Sequence, residues 1–168
     1  LLVEIAAMVA FSAIKNNDKV GLLLFHDDVA KVIPPEKGKK HGLRVIRELL
    51  TCDFNHQGTD FNPALGYLNK ILKRKTSVFI LSDFISAISY DQVFRLTSRK
   101  HDVIPVVLRD ELEQLLPRVG LIKLLDLESN KEVIVNTSSD EFQEVFSAKQ
   151  KRQKDQLDKL FSRCSTDA

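Results

Sequence analysis

The sequence predicts an α/β domain with a mostly parallel sheet and helices on both faces, and three observations predict it. Apolar runs of strand length alternate with segments of helical periodicity, the pattern that sets parallel strands side by side with helices crossing between them. Val20-Gly21-Leu22-Leu23-Leu24-Phe25 is apolar without interruption, as a strand buried on both faces must be. Ser77-Val78-Phe79-Ile80-Leu81 is a second such run. It delivers Ser82-Asp83-Phe84 to the carboxyl end of a strand, the edge at which open α/β sheets hold their ligands.

Residues 1–15 read as a helix with apolar positions at Leu1, Ile5, Met8, Val9 and Phe11, a face broad enough to pack on a sheet; it stops at Asn16-Asn17-Asp18. After the strand 20–25, His26-Asp27-Asp28 turns the chain into a second strand, 29–33, which Pro34-Pro35 is expected to end. A basic loop leads into a helix over 41–50, with Leu43, Ile46, Leu49 and Leu50 at helical spacing. The polar break 53–60 precedes a helix over 62–73, which carries Leu65, Leu68, Ile71 and Leu72 inward and has Pro63 in its first turn. A strand over 78–81, a helix over 90–99 and a strand over 103–108 follow. Segments 121–127 and 132–135 flank Glu128-Ser129-Asn130-Lys131 as a hairpin expected to extend one edge of the sheet. Residues 140–163 read as one long helix, apolar at Phe142, Val145 and Phe146 and again at Leu157, Leu160, Phe161 and Cys164, with a polar centre.

At 168 residues the chain suits a single domain, 1–168, that buries its own core. Lys and Arg total 25 against 23 Asp and Glu, so no global field steers it toward nucleic acid or an anionic membrane. The basic runs 37–40 and 149–154 lack the interleaved aromatics that base stacking needs, and nucleic-acid binding is not expected. Cys52 and Cys164 belong to no Cys/His cluster, which argues against zinc and against a disulfide framework and makes a reducing, cytoplasmic setting the plainer expectation. No stretch reaches the roughly 18 to 20 apolar residues of a membrane span, so no membrane contact is expected of this segment.

Two side chains stand out as candidate ligands. Thr59 and Asp83 form an oxygen-only pair suited to a hard cation such as Mg²⁺ rather than to zinc or copper. Each also has a plainer reading: Thr59 as a turn residue before the helix that Pro63 starts, Asp83 as the cap of the turn after its strand. Asp60 is better suited to capping that helix, Ser82 to supporting a turn, and Asp27 and Asp28 to the geometry of a tight hairpin. The four histidines are scattered without a second ligand at metal spacing.

The order of Val20–Phe25, Ile33-Pro34-Pro35, His41, Gly58-Thr59-Asp60, Leu81-Ser82-Asp83-Phe84, Asp110-x-x-Glu113, Leu116-Pro117-x-x-Gly120 and Asp126-x-Glu128 resembles the von Willebrand factor A-like bacterial family known as domain of unknown function 58. The resemblance implies a Rossmann-like three-layer sandwich with a metal-ion-dependent adhesion site at the carboxyl edge of its sheet. It makes Thr59 the second-loop ligand and Asp83 the third-loop ligand of a Mg²⁺ or Mn²⁺ ion. The D-x-S-x-S loop that supplies the other ligands in such domains does not occur here. The resemblance places that loop and its strand before residue 1, and further elements after residue 168. Metal binding by this segment alone is then expected to be weak or absent, and unpaired strand edges are expected to favour self-association.

No phosphate-cradling loop and no nucleophile-elbow motif is present, so a binding module is expected rather than an enzyme. Such a module would capture an acidic group of a protein partner through the cation. The resemblance makes a MoxR-type AAA+ ATPase the first partner to test. The alternatives are a Mg²⁺-dependent phosphate-ester hydrolase using Asp83, and a structural domain with a degenerate site.

Overall fold

The computed structural model describes residues 1–52, 58–86, 89–109, 117–126 and 131–164, with backbone alone at 124–126 and 131. The chain divides into two compact units, Leu1–Val106 and Val107–Ala168. The first contains α1 (Leu2–Lys15), β1 (Val20–Phe25), β2 (Val29–Glu36), α2 (Lys39–Thr51), α3 (Phe61–Ile71), β3 (Ser77–Ser82), α4 (Asp91–Lys100) and all but the last residue of β4 (Asp102–Val107). The second contains β5 (Leu121–Asp126), β6 (Lys131–Asn136) and a long terminal helix, α5 (Asp140–Cys164).

The expected Rossmann-like sandwich, with one mostly parallel sheet, does not form. Among the described residues the strands make three two-stranded sheets, β1–β2, β3–β4 and β5–β6, and the first and last are antiparallel. The reason is local closure: a strand returned at once by a short turn meets its sequence neighbour at the smallest loop entropy. At β1 that turn is His26-Asp27-Asp28, where the His26 amide donates to Asp28 O and the Asp28 carboxylate accepts from the Val29 amide. An apolar run marks a strand but not its partner, and β1 is half-buried rather than buried throughout. The hairpin expected near residues 121–135 is present, as the separate sheet β5–β6 rather than as an extension of a larger one.

Pro34 and Pro35 do not end β2, which runs through both to Glu36. Proline is tolerated at an edge or a bulge, and the register slips between the Val20–Glu36 and Leu22–Ile33 pairs. Gly21 makes the fit possible, because a Cβ there would stand 2.8 Å from Ile33 O and 3.0 Å from Pro35 N.

The main core is aliphatic. Ala10 of α1, Ile33 of β2 and Val45, Ile46 and Leu49 of α2 are buried together, with Val3, Ala6, Ala7, Val20, Leu22 and Leu24 packed against them. Gly42 lets α1 and α2 approach, since a Cβ on it would lie 2.0 Å from Ile14 Cδ1. His41 fastens α2 to the hairpin: its Nε2 is 2.9 Å from Val20 O and must carry the proton to donate, while Nδ1 stands 3.5 Å from Glu36 Oε2. Helices α3 and α4 are joined by a buried hydrogen bond from Asn69 Nδ2 to Thr97 Oγ1 at 2.8 Å.

In the second unit, the start of α5 is tied to the base of the β5–β6 hairpin. Thr137 Oγ1 donates to Gly120 O, Gln143 Nε2 donates to Thr137 O at 2.8 Å, and Arg118 pairs with Asp140 at 2.8 Å. The Ser139 hydroxyl caps the helix by accepting from the Phe142 amide. No helix among the described residues is long and apolar enough to cross a membrane.

Candidate functional site

Three segments of the first unit meet beyond the ends of β1 and β3. The turn after β1 receives the start of α3, since the Asp60 amide donates to His26 O at 2.8 Å. The loop after β3 joins the same place, with the Ser86 hydroxyl donating to Thr59 O at 2.6 Å and Asn62 Nδ2 donating to Ser89 O at 3.1 Å.

Aromatic rings underlie the junction. Phe61, the first residue of α3, is fully buried and touches Phe25 at a centroid distance of 5.3 Å, Phe84 at 5.5 Å in a stacked pair and Tyr90 at 4.5 Å. Each of the three segments thus contributes to one apolar anchor, and such ring pairs add cohesion beyond the area they bury.

Phe84 is held in a left-handed conformation, φ 58°, which a bulky side chain rarely adopts. Its surroundings over-determine it: the ring is buried, its amide donates to Ser82 Oγ at 3.1 Å, and its carbonyl accepts from the Tyr90 hydroxyl at 3.1 Å. The unusual backbone sits directly after the exposed Asp83.

The candidate residues have different situations. Asp60 is the N-cap of α3, with Oδ1 accepting from the Asn62 amide at 2.9 Å, as expected for it. Ser82 supports the turn after β3, also as expected. Asp83 is exposed, and its Oδ1 accepts from the Ile85 amide at 2.9 Å and from Ser82 Oγ at 3.3 Å. It therefore caps its turn with one oxygen, while among the described residues Oδ2 accepts no hydrogen bond. Thr59 is half-buried and lines a cavity of about 450 Å³ together with Leu24, His26, Lys31, Glu48 and Cys52. Lys31 and Glu48 form an ion pair on that cavity's wall, and the lysine holds the Glu48 carboxyl below its ordinary range.

The structure joins the loops of Thr59 and Asp83 through the Thr59 carbonyl; among the described residues no hydrogen bond links the Thr59 hydroxyl to the Asp83 carboxylate. Tyr90 senses Asp83 electrostatically: burial first, then the negative charges of Asp91 and Asp83, push its hydroxyl up to about 12. Ser86, Phe61 and Tyr90 escaped the sequence reading. A serine in a loop carries no pattern of its own, and the two rings look like ordinary core residues. The Asp110 and Glu113 positions of the resemblance lie outside the described residues.

Hydroxyl and carboxylate oxygens suit a hard cation. Among the described residues no three Asp, Glu, His or Cys side chains cluster as a metal site. Thr59 and Asp83 carry such oxygens on loops joined by the Ser86–Thr59 hydrogen bond.

A family model described as protein of unknown function DUF58 matches residues 1–156. The chain belongs to the DUF58 family. This DUF58 chain is 26% identical over 131 residues to uncharacterized protein Rv1480 of Mycobacterium tuberculosis and, equally, to uncharacterized protein Mb1516 of Mycobacterium bovis. Each match covers 77% of this chain and 41% of the relative, so the aligned part spans about two fifths of those proteins. Among solved structures, the fold is similar to the conserved hypothetical protein BatB from Bacteroides thetaiotaomicron. The TM-score is 0.50 at 11% identity, covering 98% of this chain and 88% of BatB.

Proposed function

We propose that this DUF58 chain is a protein-interaction module rather than an enzyme, and that it captures an acidic group of a partner through a divalent cation held at Thr59 and Asp83. The observation that carries the reading is Asp83: an exposed strand-end carboxylate, oriented by one oxygen and open at the other, in a loop anchored to the loop of Thr59. The likeness of Gly58-Thr59-Asp60 and Leu81-Ser82-Asp83-Phe84 to the adhesion-site loops of von Willebrand factor A-like domains supports the assignment of the two residues.

The cation would supply a Lewis-acidic position at which a carboxylate replaces bound water. The chain's own contribution is orientation. Ile85 N–H and the Ser82 hydroxyl fix Asp83 Oδ1, so the carboxylate needs little reordering to bind, and less of the interaction is lost to side-chain entropy. The aromatic anchor keeps the two loops in register.

A MoxR-type AAA+ ATPase is the proposed partner, on the strength of the resemblance. The test is a pull-down of that ATPase by the full-length protein in Mg²⁺, in chelator, and with Asp83→Ala. Retention lost in chelator and in the variant supports the reading. Retention unaffected by both refutes it. Turnover of a phosphate ester abolished by Asp83→Ala would favour the hydrolase instead.

A further inference from the structure

We propose that the groove between β2 and α3 is a second interaction surface, which takes an extended peptide segment as an added strand, with an acidic side chain of that peptide at the Lys70 end. The groove has a volume of about 650 Å³ and is lined by neither Thr59 nor Asp83, though it shares Ala30 and Lys31 with the cavity that Thr59 lines. One wall is Asp28 of the turn and the first four residues of β2, whose strand partner among the described residues is β1. The opposite wall is a single face of α3: Asn62, Pro63, Gly66, Tyr67 and Lys70.

The two walls match in length and direction. Residues 28–32 extend about 13 Å at the rise of a strand, and residues 62–70 extend about 12 Å at the rise of a helix. Both start at the same point, because the Asp60 amide on the cap of α3 donates to His26 O in the β1–β2 turn. An extended segment of four or five residues therefore matches the wall formed by residues 28–32 in length.

The chemistry of the walls selects the occupant. The β1–β2 register slips at Ala30, and from Lys31 onward alternate residues direct their N–H and C=O away from β1, so among the described residues this part of β2 offers donors and acceptors to a further strand, the mode by which sheet edges recruit peptides. Gly66 leaves the helical wall open, since nothing lies within 4 Å of where its Cβ would be, and the half-exposed Tyr67 ring flanks that gap as an apolar surface. Charge then orients the guest. Asp28 stands at one end, whereas the other end carries Lys70, exposed and in no ion pair among the described residues, and Lys31, which shares its charge with Glu48. A peptide with an acidic residue toward Lys70 complements this field.

The experiment is selection of a random-heptapeptide display library on the wild-type protein, with counter-selection on Gly66→Leu, which fills the groove from a half-buried position on its helical wall. Circular dichroism and Tm confirm that Gly66→Leu folds. The expected result is enrichment of peptides carrying Asp or Glu. Their binding should fall at least tenfold for Gly66→Leu and for Lys70→Glu, and recover for Lys70→Glu when the acidic residue is replaced by lysine. Bound peptide should slow amide exchange along β2, and Asp83→Ala should leave its affinity unchanged. No enrichment, or affinity equal in Gly66→Leu, overturns the proposal. A concentration-dependent dimer that Gly66→Leu dissociates also overturns it, by assigning the groove to a second copy of the chain.

Discussion

Two packed regions of the first unit do different work. The aliphatic core of Ala10, Ile33, Val45, Ile46 and Leu49 joins two helices to a hairpin, elements that hold their own backbone hydrogen bonds. The aromatic cluster of Phe25, Phe61, Phe84 and Tyr90 instead gathers the end of β1, the first residue of α3 and the loop after β3. Removing the first should cost stability; removing the second should cost stability and the geometry of the candidate site together. The difference teaches where rings are placed: a few large, stiff side chains can fix loops that regular structure cannot reach.

The strongest break in this comparison is Phe61→Ala. A fully buried ring at the centre of the cluster should cost about 3–5 kcal/mol, read by urea denaturation, and cation-dependent partner retention should disappear even at temperatures where the variant is folded. Leu49→Ala, at the centre of the other core, should cost about 2–5 kcal/mol yet leave retention by the folded fraction intact. Loss of retention in both variants would erase the distinction.

Next is Gly42→Val, which forces side-chain atoms into Ile14 across the α1–α2 contact. Overpacking of this kind costs about 1–3 kcal/mol, and the double variant with Ile14→Ala should recover much of it. Retention should again follow only the folded fraction. Asp60→Ala removes the cap of α3 at a cost of about 1 kcal/mol, and it should weaken retention slightly by loosening the segment that carries Thr59.

Tyr90→Phe is the smallest change to the cluster, losing the hydrogen bond to Phe84 O for about 1 kcal/mol. Its signature is in pH. The folded state raises the Tyr90 hydroxyl from 10.0 to about 12, so the neutral form is favoured. That contribution is fully present below pH 10 and is lost as pH rises toward 12. Wild-type stability should therefore fall across this window by more than that of Tyr90→Phe. Parallel curves would contradict the burial assigned to Tyr90.

Much of this architecture was legible in particular residues. Asp60 reads as a cap because Pro63 announces a helix start, and Asp27 and Asp28 read as a hairpin because their side chains bond locally. These are effects of neighbours in sequence. The sheet was misread because an uninterrupted apolar run such as Val20–Phe25 shows that a strand forms but not which strand it meets. The passage of β2 through Pro34 and Pro35 had a signal, Gly21 inside a strand, which marks close approach of another backbone. The role of His41 had none, because Val20 O is 21 positions away and is placed only by the fold. Of the candidate site, Thr59 and Asp83 were singled out by residue type and position, whereas the Ser86 bridge and the left-handed Phe84 beside them left no pattern in the sequence.

The most direct test is a calorimetric Mg²⁺ titration of the full-length protein beside Asp83→Ala, which loses the turn cap at a cost of about 1 kcal/mol and is compared under conditions where it is folded. Saturable binding by the wild type, abolished in folded Asp83→Ala, is the predicted result. Wild-type protein that binds no Mg²⁺, or Asp83→Ala that binds it equally well, would contradict the cation-dependent account.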